Sequence, residues 1–312
     1  MQLYKSRGFG EFFQDTFSFL KQNGGHLFKN FFIINGIFLI ILMAMSYFSG
    51  KFYTDILFSG LNGTSNVIDD YLNQNGAMFF LFAFLFIVIG LIAGIISYSF
   101  MPIYLKLYAA HNGKHFSASD IINVYKDNIG KMLIFLVCGI LIAIPLAIFL
   151  GLLAFVLTIT LVGILGLPLL VGGVALYYQG ALMEYFDNKR GIWESFGYSW
   201  KLMSSKFWAV VGCAGLFYVM SYIIQYIVAL IPYIFGMLNL FTDIQPGVNP
   251  DPEEVSRSLT VMMLMVSMLT FIVSTFLGVI MQLNQGVIFY SLKEDHENIN
   301  TKSDIDLIGS GE

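Results

Sequence analysis

The sequence places few side chains where they could do chemistry. His111 and His115 stand four apart, a spacing that lets two imidazoles share a helix face and a metal ion. The Asn112-Gly113 pair between them signals a turn instead, and a turn separates the rings. Asp251-Pro252-Glu253-Glu254 gathers three carboxylates that could hold a cation, yet Asp at the N-cap, Pro at the first helical position and acid at the third form a helix start. Glu184 could serve as a general acid or base, but such work needs a nucleophile, a second carboxylate or a metal beside it. It is expected to be solvated, or paired with Lys189 or Arg190. Cys138 and Cys213 lie in apolar stretches and read as small packing residues. The four histidines, His26, His111, His115 and His296, all fall outside those stretches. No catalytic, metal or cofactor set can be assembled, so the expectation is a protein that is not an enzyme and carries no cofactor. The amides Gln179, Gln282, Asn284 and Gln285 remain. An uncharged amide in an apolar run must find a hydrogen-bond partner, and these four predict an intramembrane polar cluster where the fourth and sixth spans converge, either as glue between helices or as the floor of a cavity.

The elements that position these residues follow from composition. The chain is 57% hydrophobic and 12% charged, with a mean hydropathy of +0.75, whereas soluble domains carry about 25% charged residues. It reads as an integral membrane protein. Residues 30–50, 71–105, 132–183, 207–242 and 258–292 contain no Asp, Glu, Lys or Arg. A helix crosses the bilayer with roughly 20 apolar residues, so the long third stretch is two spans broken around Leu157 to Gly163, and six spans are predicted.

Lys and Arg concentrate in cytoplasmic loops. Fourteen basic residues (Lys5, Arg7, Lys21, Lys29, Lys106, Lys114, Lys126, Lys131, Lys189, Arg190, Lys201, Lys206, Lys293, Lys302) fall on the side of the termini, and only Lys51 and Arg257 on the other. Both termini are therefore expected in the cytoplasm of a cell, at its inner (cytoplasmic) membrane, in a bacterial setting. Span 1 is expected to stay as an uncleaved anchor, because no short apolar core with a small-residue cleavage site precedes it. Asn62-Gly63-Thr64 matches a glycosylation sequon and is read as a loop. The net charge of −4 gives no sign of a nucleic-acid partner.

All three tryptophans lie within "GIWESFGYSWKLMSSKFWAVVG", residues 191–212. Trp193, Phe196, Gly197, Trp200, Ser204 and Phe207 recur at helical spacing, with Glu194, Ser195, Tyr198 and Lys201 elsewhere. Tryptophan suits the boundary between acyl chains and headgroups, and nearby lysine attracts anionic lipid. Trp193, Trp200, Lys201 and Trp208 thus predict a cytoplasmic amphipathic interfacial helix. Similar segments precede span 1 (Phe9, Phe12, Phe13, Phe17, Leu20) and span 3 (Ile121, Ile122, Tyr125, Ile129), the latter opened by a Ser117/Asp120 capping box. Lys21, Lys126 and Lys201 coincide on ungapped alignment, and the even spans end alike at Tyr108, Tyr185 and Tyr290. The predicted fold is an all-α membrane domain over residues 1–296, made of three parallel helix-hairpin repeats (about 9–113, 116–189 and 192–296), followed by a flexible polar tail at 297–312.

At "YSWKLMSSKFWAVVG" the chain resembles the membrane domain of the glycerophosphoryl diester phosphodiesterase membrane-domain family and related uncharacterised bacterial six-span proteins, on Ser199, Trp200, Lys201, Leu202, Phe207 and Trp208. In some members this domain is joined to a soluble phosphodiesterase domain. Here the sequence ends at Glu312, a short way past span 6, so the resemblance implies membrane architecture and no hydrolase activity. The expected function is that of a non-enzymatic membrane scaffold or accessory subunit acting through membrane lipids or a partner membrane protein. The alternative is a carrier or flippase for a neutral or amphipathic lipid-like substrate, which needs no charge within its spans.

Overall fold

A computed structural model describes residues 1–57, 67–160, 163–243 and 252–300. The Asn62–Thr64 sequon, Asp251 and residues 301–312 lie outside the described residues. Among the described residues all regular structure is helical: α1 (Phe9–Leu57), α2 (Val67–Ala110), α3 (Ala118–Thr158), a 3-10 turn (Gly163–Gly166), α4 (Leu167–Phe186), α5 (Ile192–Ser205), α6 (Phe207–Asp243) and α7 (Pro252–Glu297). All but α5 and the 3-10 turn are long and apolar enough to cross a membrane, six helices in number. They are apolar around most of their circumference. Ile37, Ile40, Phe84, Ile148, Phe149 and Phe155 stand more than half exposed, which is stable where the surrounding solvent is hydrocarbon.

The chain divides into two compact units. One comprises 1–34, 95–220 and 278–312, the other 35–94 and 221–277. In the second unit α6 meets α7 at Gly236, against which Met262 packs, and the ring of Phe52 lies 5.0 Å from that of Phe79.

The first unit holds the tryptophan segment, the four amides and Glu184. Small residues let its helices approach closely, as membrane helices require when apolar side chains gain nothing by leaving lipid. A Cβ on Gly172 of α4 would stand 2.6 Å from the backbone nitrogen of Gly215 in α6. On α1, Phe13 and Phe17 pack their rings on Phe217 of α6. His26 lies between α2 and the start of α3, 2.8 Å from the Tyr104 hydroxyl and 2.9 Å from the Phe116 carbonyl.

Three helices in this unit start with the same device: an acidic residue at the third helical position accepts the amide hydrogen of the N-cap residue. Glu11 accepts from Gly8 (2.9 Å), Asp120 from Ser117 (2.7 Å) and Glu194 from Gly191 (3.0 Å). In α3 the Ser117 hydroxyl also turns to Asp120 (2.8 Å), so the capping box forms through its carboxylate arm.

The three segments read as interfacial helices differ from expectation in their boundaries. Only α5 is a separate helix, ended where Lys206 takes φ −132° and ψ 41°. The corresponding segments ahead of spans 1 and 3 run without a break into α1 and α3, because no residue there leaves helical geometry. At 49 residues, α1 is roughly 70 Å long, far more than a bilayer crossing needs. The last described residues remain attached to the first unit. Glu297 still belongs to α7, and Asn300 donates its backbone N–H to Glu294 and its amide to the Tyr4 carbonyl.

Candidate functional site

The end of α4 is a buried junction of charge. Its last carbonyls carry the negative end of the helix dipole and lack intrahelical donors. Two lysines supply them: Lys106 of α2 donates to the Phe186 carbonyl, and Lys131 of α3 donates to the Tyr185 carbonyl at 2.9 Å and to Asn188. Lys293 of α7 has no exposed side-chain surface, and its ammonium lies 2.6 Å from Glu184, also fully buried, and 2.6 Å from Asp187. Arg190 closes the far side of Glu184. It also covers the Tyr198 ring at 3.6 Å and stands 3.6 Å from Glu297, to which the Tyr198 hydroxyl donates at 2.6 Å. Burial works against the guanidinium charge, but Glu184, with Tyr198 and Glu297, outweighs it and raises the Arg190 pKa. Burial, then the bond to Glu297, raises that of Tyr198.

The N-terminal segment seals the same end. Arg7 is buried and spends its guanidinium on the carbonyls of Gln2 and Leu3 (2.7 Å each), that of Lys5 (2.9 Å) and the Asp15 carboxylate (2.7 Å). Lys206 then ties the Arg7 carbonyl (3.1 Å) to Asp295 (2.7 Å), and Tyr4 sets its ring edge-on to Tyr290 at 5.0 Å. Within the hub Lys293, Arg190, Glu184 and Asp187 balance in charge and saturate one another. Each of these four groups is thus paired with an opposite charge.

Glu184 does pair with Arg190, as its neighbourhood in sequence suggests, but it is buried rather than solvated, and its second partner, Lys293, is 109 residues away. A usable signal existed. Glu184 and Lys293 are the first charges after two of the charge-free stretches, so parallel even spans bring opposite charges to one level.

The tryptophan segment is placed differently from its predicted face. In α5 the buried residues are Ser195, Phe196, Tyr198, Ser199, Leu202 and Met203. Trp193 and Trp200 point outward, 58% and 54% exposed, next to exposed Lys201. Phe196 therefore parts from the tryptophans and stacks on Phe135 at 5.2 Å, while Tyr198, expected off the apolar face, is buried. The reason is the hub: Arg190 and Glu297 draw the phenol inward, and this rotates the indoles out. Trp208 belongs to the first turn of α6 rather than to α5, and is 81% exposed.

Of the predicted amide cluster, Gln179 and Asn284 are fully buried, Gln285 is buried and Gln282 is partly exposed. Convergence of α4 and α7 is visible at Gly286, where a Cβ would stand 3.0 Å from Met183, and at Gly180, where it would stand 3.5 Å from Phe289. Gln179 forms no hydrogen bond to Gln282 or Asn284. Asn284 bonds instead to Thr16 of α1 (3.0 Å) and Cys213 of α6 (3.6 Å).

Compared with family models, with curated proteins and with solved structures, the chain matches none.

Proposed function

We propose that the chain is a non-enzymatic scaffold or accessory subunit of the inner, cytoplasmic membrane, with both termini in the cytoplasm, that works by contact with lipid and with a partner membrane protein. The observation that carries this reading is the outward set of all three tryptophans, Trp193 and Trp200 on α5 beside Lys201 and Trp208 in the first turn of α6, while the other face of α5 is clamped through Tyr198, whose ring Arg190 covers and whose hydroxyl bonds to Glu297. Exposed indoles next to an ammonium fit a headgroup boundary. The clamp supports it further, since a rigid face contributes to binding without an ordering cost.

The repeat reading rests on shared local devices. The three N-cap carboxylates, the exposed Lys21, Lys126 and Lys201, and the buried Tyr108, Tyr185 and Tyr290 recur in the three proposed units. The hub supports it too: Lys106, Lys131 and Lys293, one from each proposed repeat, meet at the end of α4. On this reading the resemblance at Ser199–Trp208 concerns the membrane architecture alone.

A second reading, a carrier or flippase for an amphipathic lipid-like substrate, is favoured by an apolar groove of about 560 Å³ within the first unit, lined by Tyr98 of α2, Leu150 and Ala154 of α3, and Leu170, Val174 and Tyr178 of α4. The volume falls within the range of small-ligand sites. Reconstitution with labelled lipid separates the two readings: a scaffold leaves transbilayer movement at the protein-free rate and a carrier accelerates it.

Orientation is tested with single introduced cysteines. At Asn66 or Val248, both outside the described residues, they should react with an impermeant thiol reagent applied to the outside of intact cells. At Asn112 or Asn188, which are exposed at the hub's end of the first unit, they should not. Reversed labelling would refute the cytoplasmic placement of the termini.

A further inference from the structure

We infer that the junction of α4, α6 and α7 is a binding site for internal water, built by Gln179 and Asn284. Gln179 is fully buried, and among the described residues neither its Oε1 nor its Nε2 has a hydrogen-bond partner. Asn284 is equally buried. Its amide N–H groups go to Thr16 Oγ1 and Cys213 Sγ, and its Oδ1 is left without a partner.

The two amides lie on helices that meet at this junction. Gln179 shares one α4 stripe with Gly172, Leu176 and Met183, at helical spacings of four, three and four. One end of the stripe closes on α6, where a Cβ on Gly172 would meet the backbone of Ala214 and Gly215. The other end closes on α7, where Gly286 faces Met183. Asn284 precedes Gly286 by two positions and holds Cys213, the neighbour of Ala214. Gln179 thus sits on this stripe between its contact with α6 and its contact with α7, and Asn284 of α7 bridges to α6 through Cys213.

An amide buried in apolar surroundings is costly unless both its ends are paired. Here two carbonyl oxygens require donors and one NH₂ group requires an acceptor, so the missing partner must both donate and accept. Water does both, and buried waters typically make about three such bonds. Complete burial of both residues favours the smallest molecule with that chemistry over a lipid headgroup. The inference is independent of whether the protein acts as scaffold or carrier.

X-ray radiolytic footprinting in ¹⁸O-water tests it, because hydroxyl radicals form from bound as well as bulk water and oxidise side chains in contact with either. The probe is the Cys213 thiol, fully buried and bonded by Asn284; exposed His115 is the bulk reference. Cys213 in the detergent-solubilised full chain should take up ¹⁸O at a rate within several-fold of His115, and Gln179→Leu should lower that uptake several-fold while leaving His115 unchanged. A Cys213 that stays unlabelled while His115 is oxidised overturns the site, as does uptake that is unchanged in a folded Gln179→Leu protein. Where that variant does not fold, Gln179→Met replaces it, and the wild-type uptake at Cys213 decides alone if neither folds.

Discussion

Replacing Lys293 with methionine should destabilise the protein by about 3–5 kcal/mol, the cost of breaking a buried ion pair from one side. The substitution keeps the volume of the side chain but leaves Glu184, with no exposed surface, and Asp187, 18% exposed, without the ammonium that lies 2.6 Å from each. Arg190 still reaches Glu184, but with 29% of its side chain exposed and its charge shared with Glu297 it cannot compensate both acids. Adding Glu184→Gln to Lys293→Met should recover a large part of the loss, because it is the uncompensated charge that is costly, more than the missing contact. Thermal unfolding in detergent, followed by circular dichroism, measures both. If the double variant is as unstable as the sum of the two single ones, the residues act independently and the hub is not a coupled network.

The second large effect lies where two helices touch. Gly172→Ala puts a methyl group 2.6 Å from the Gly215 nitrogen and 2.9 Å from the Ala214 carbonyl carbon. Backbone cannot step aside as a side-chain tip can, so α4 and α6 must separate. Overpacking costs about 1–3 kcal/mol, and here it also opens a contact that relies on small residues. Gly173→Ala is the control: its methyl group would meet only Val211, at 3.5 Å, an ordinary contact. In the same unfolding assay Gly172→Ala should lose stability and Gly173→Ala should change little. Equal effects at the two positions would place the α4–α6 contact elsewhere.

The spans were legible because hydrocarbon solvent leaves a simple trace, a run of apolar residues without charge, and the break between α3 and α4 falls where the long run predicts it. The start of α3 is legible for a local reason: an acid three residues past the N-cap acts within its own turn, as Asp120 does for Ser117; the same device at Gly8/Glu11 and Gly191/Glu194 goes unread because glycine carries no capping side chain. What was not legible depends on distant partners. Lys293 looks like a solvated residue past the end of a span until α4 brings Glu184 beside it. Tyr198 reads as off the apolar face until Arg190 covers its ring and Glu297 takes its hydroxyl. Helical periodicity groups Phe196 with the tryptophans, but it cannot say which edge of a wide apolar face turns inward. The contacts of Tyr198 with Arg190 and with Glu297, 99 residues away, decide that. The need of a buried amide for partners is plain in the sequence, yet Asn284 bonds to Thr16 and Cys213, on helices with no local mark pointing to it.

The central claim is that the outward tryptophan face of α5 and of the first turn of α6 lies in the headgroup region of the bilayer. Because Trp193, Trp200 and Trp208 are all the tryptophans in the chain, intrinsic fluorescence reports this face alone. The measurement is depth-dependent quenching of the full-length protein in vesicles containing lipids brominated at different positions along the acyl chain. Quenching should be strongest with bromines near the ester end, weaker with bromines near the bilayer centre, and iodide in the water should quench poorly. Emission that is untouched by brominated lipid at every depth and readily quenched by iodide would place the face in water and contradict the account.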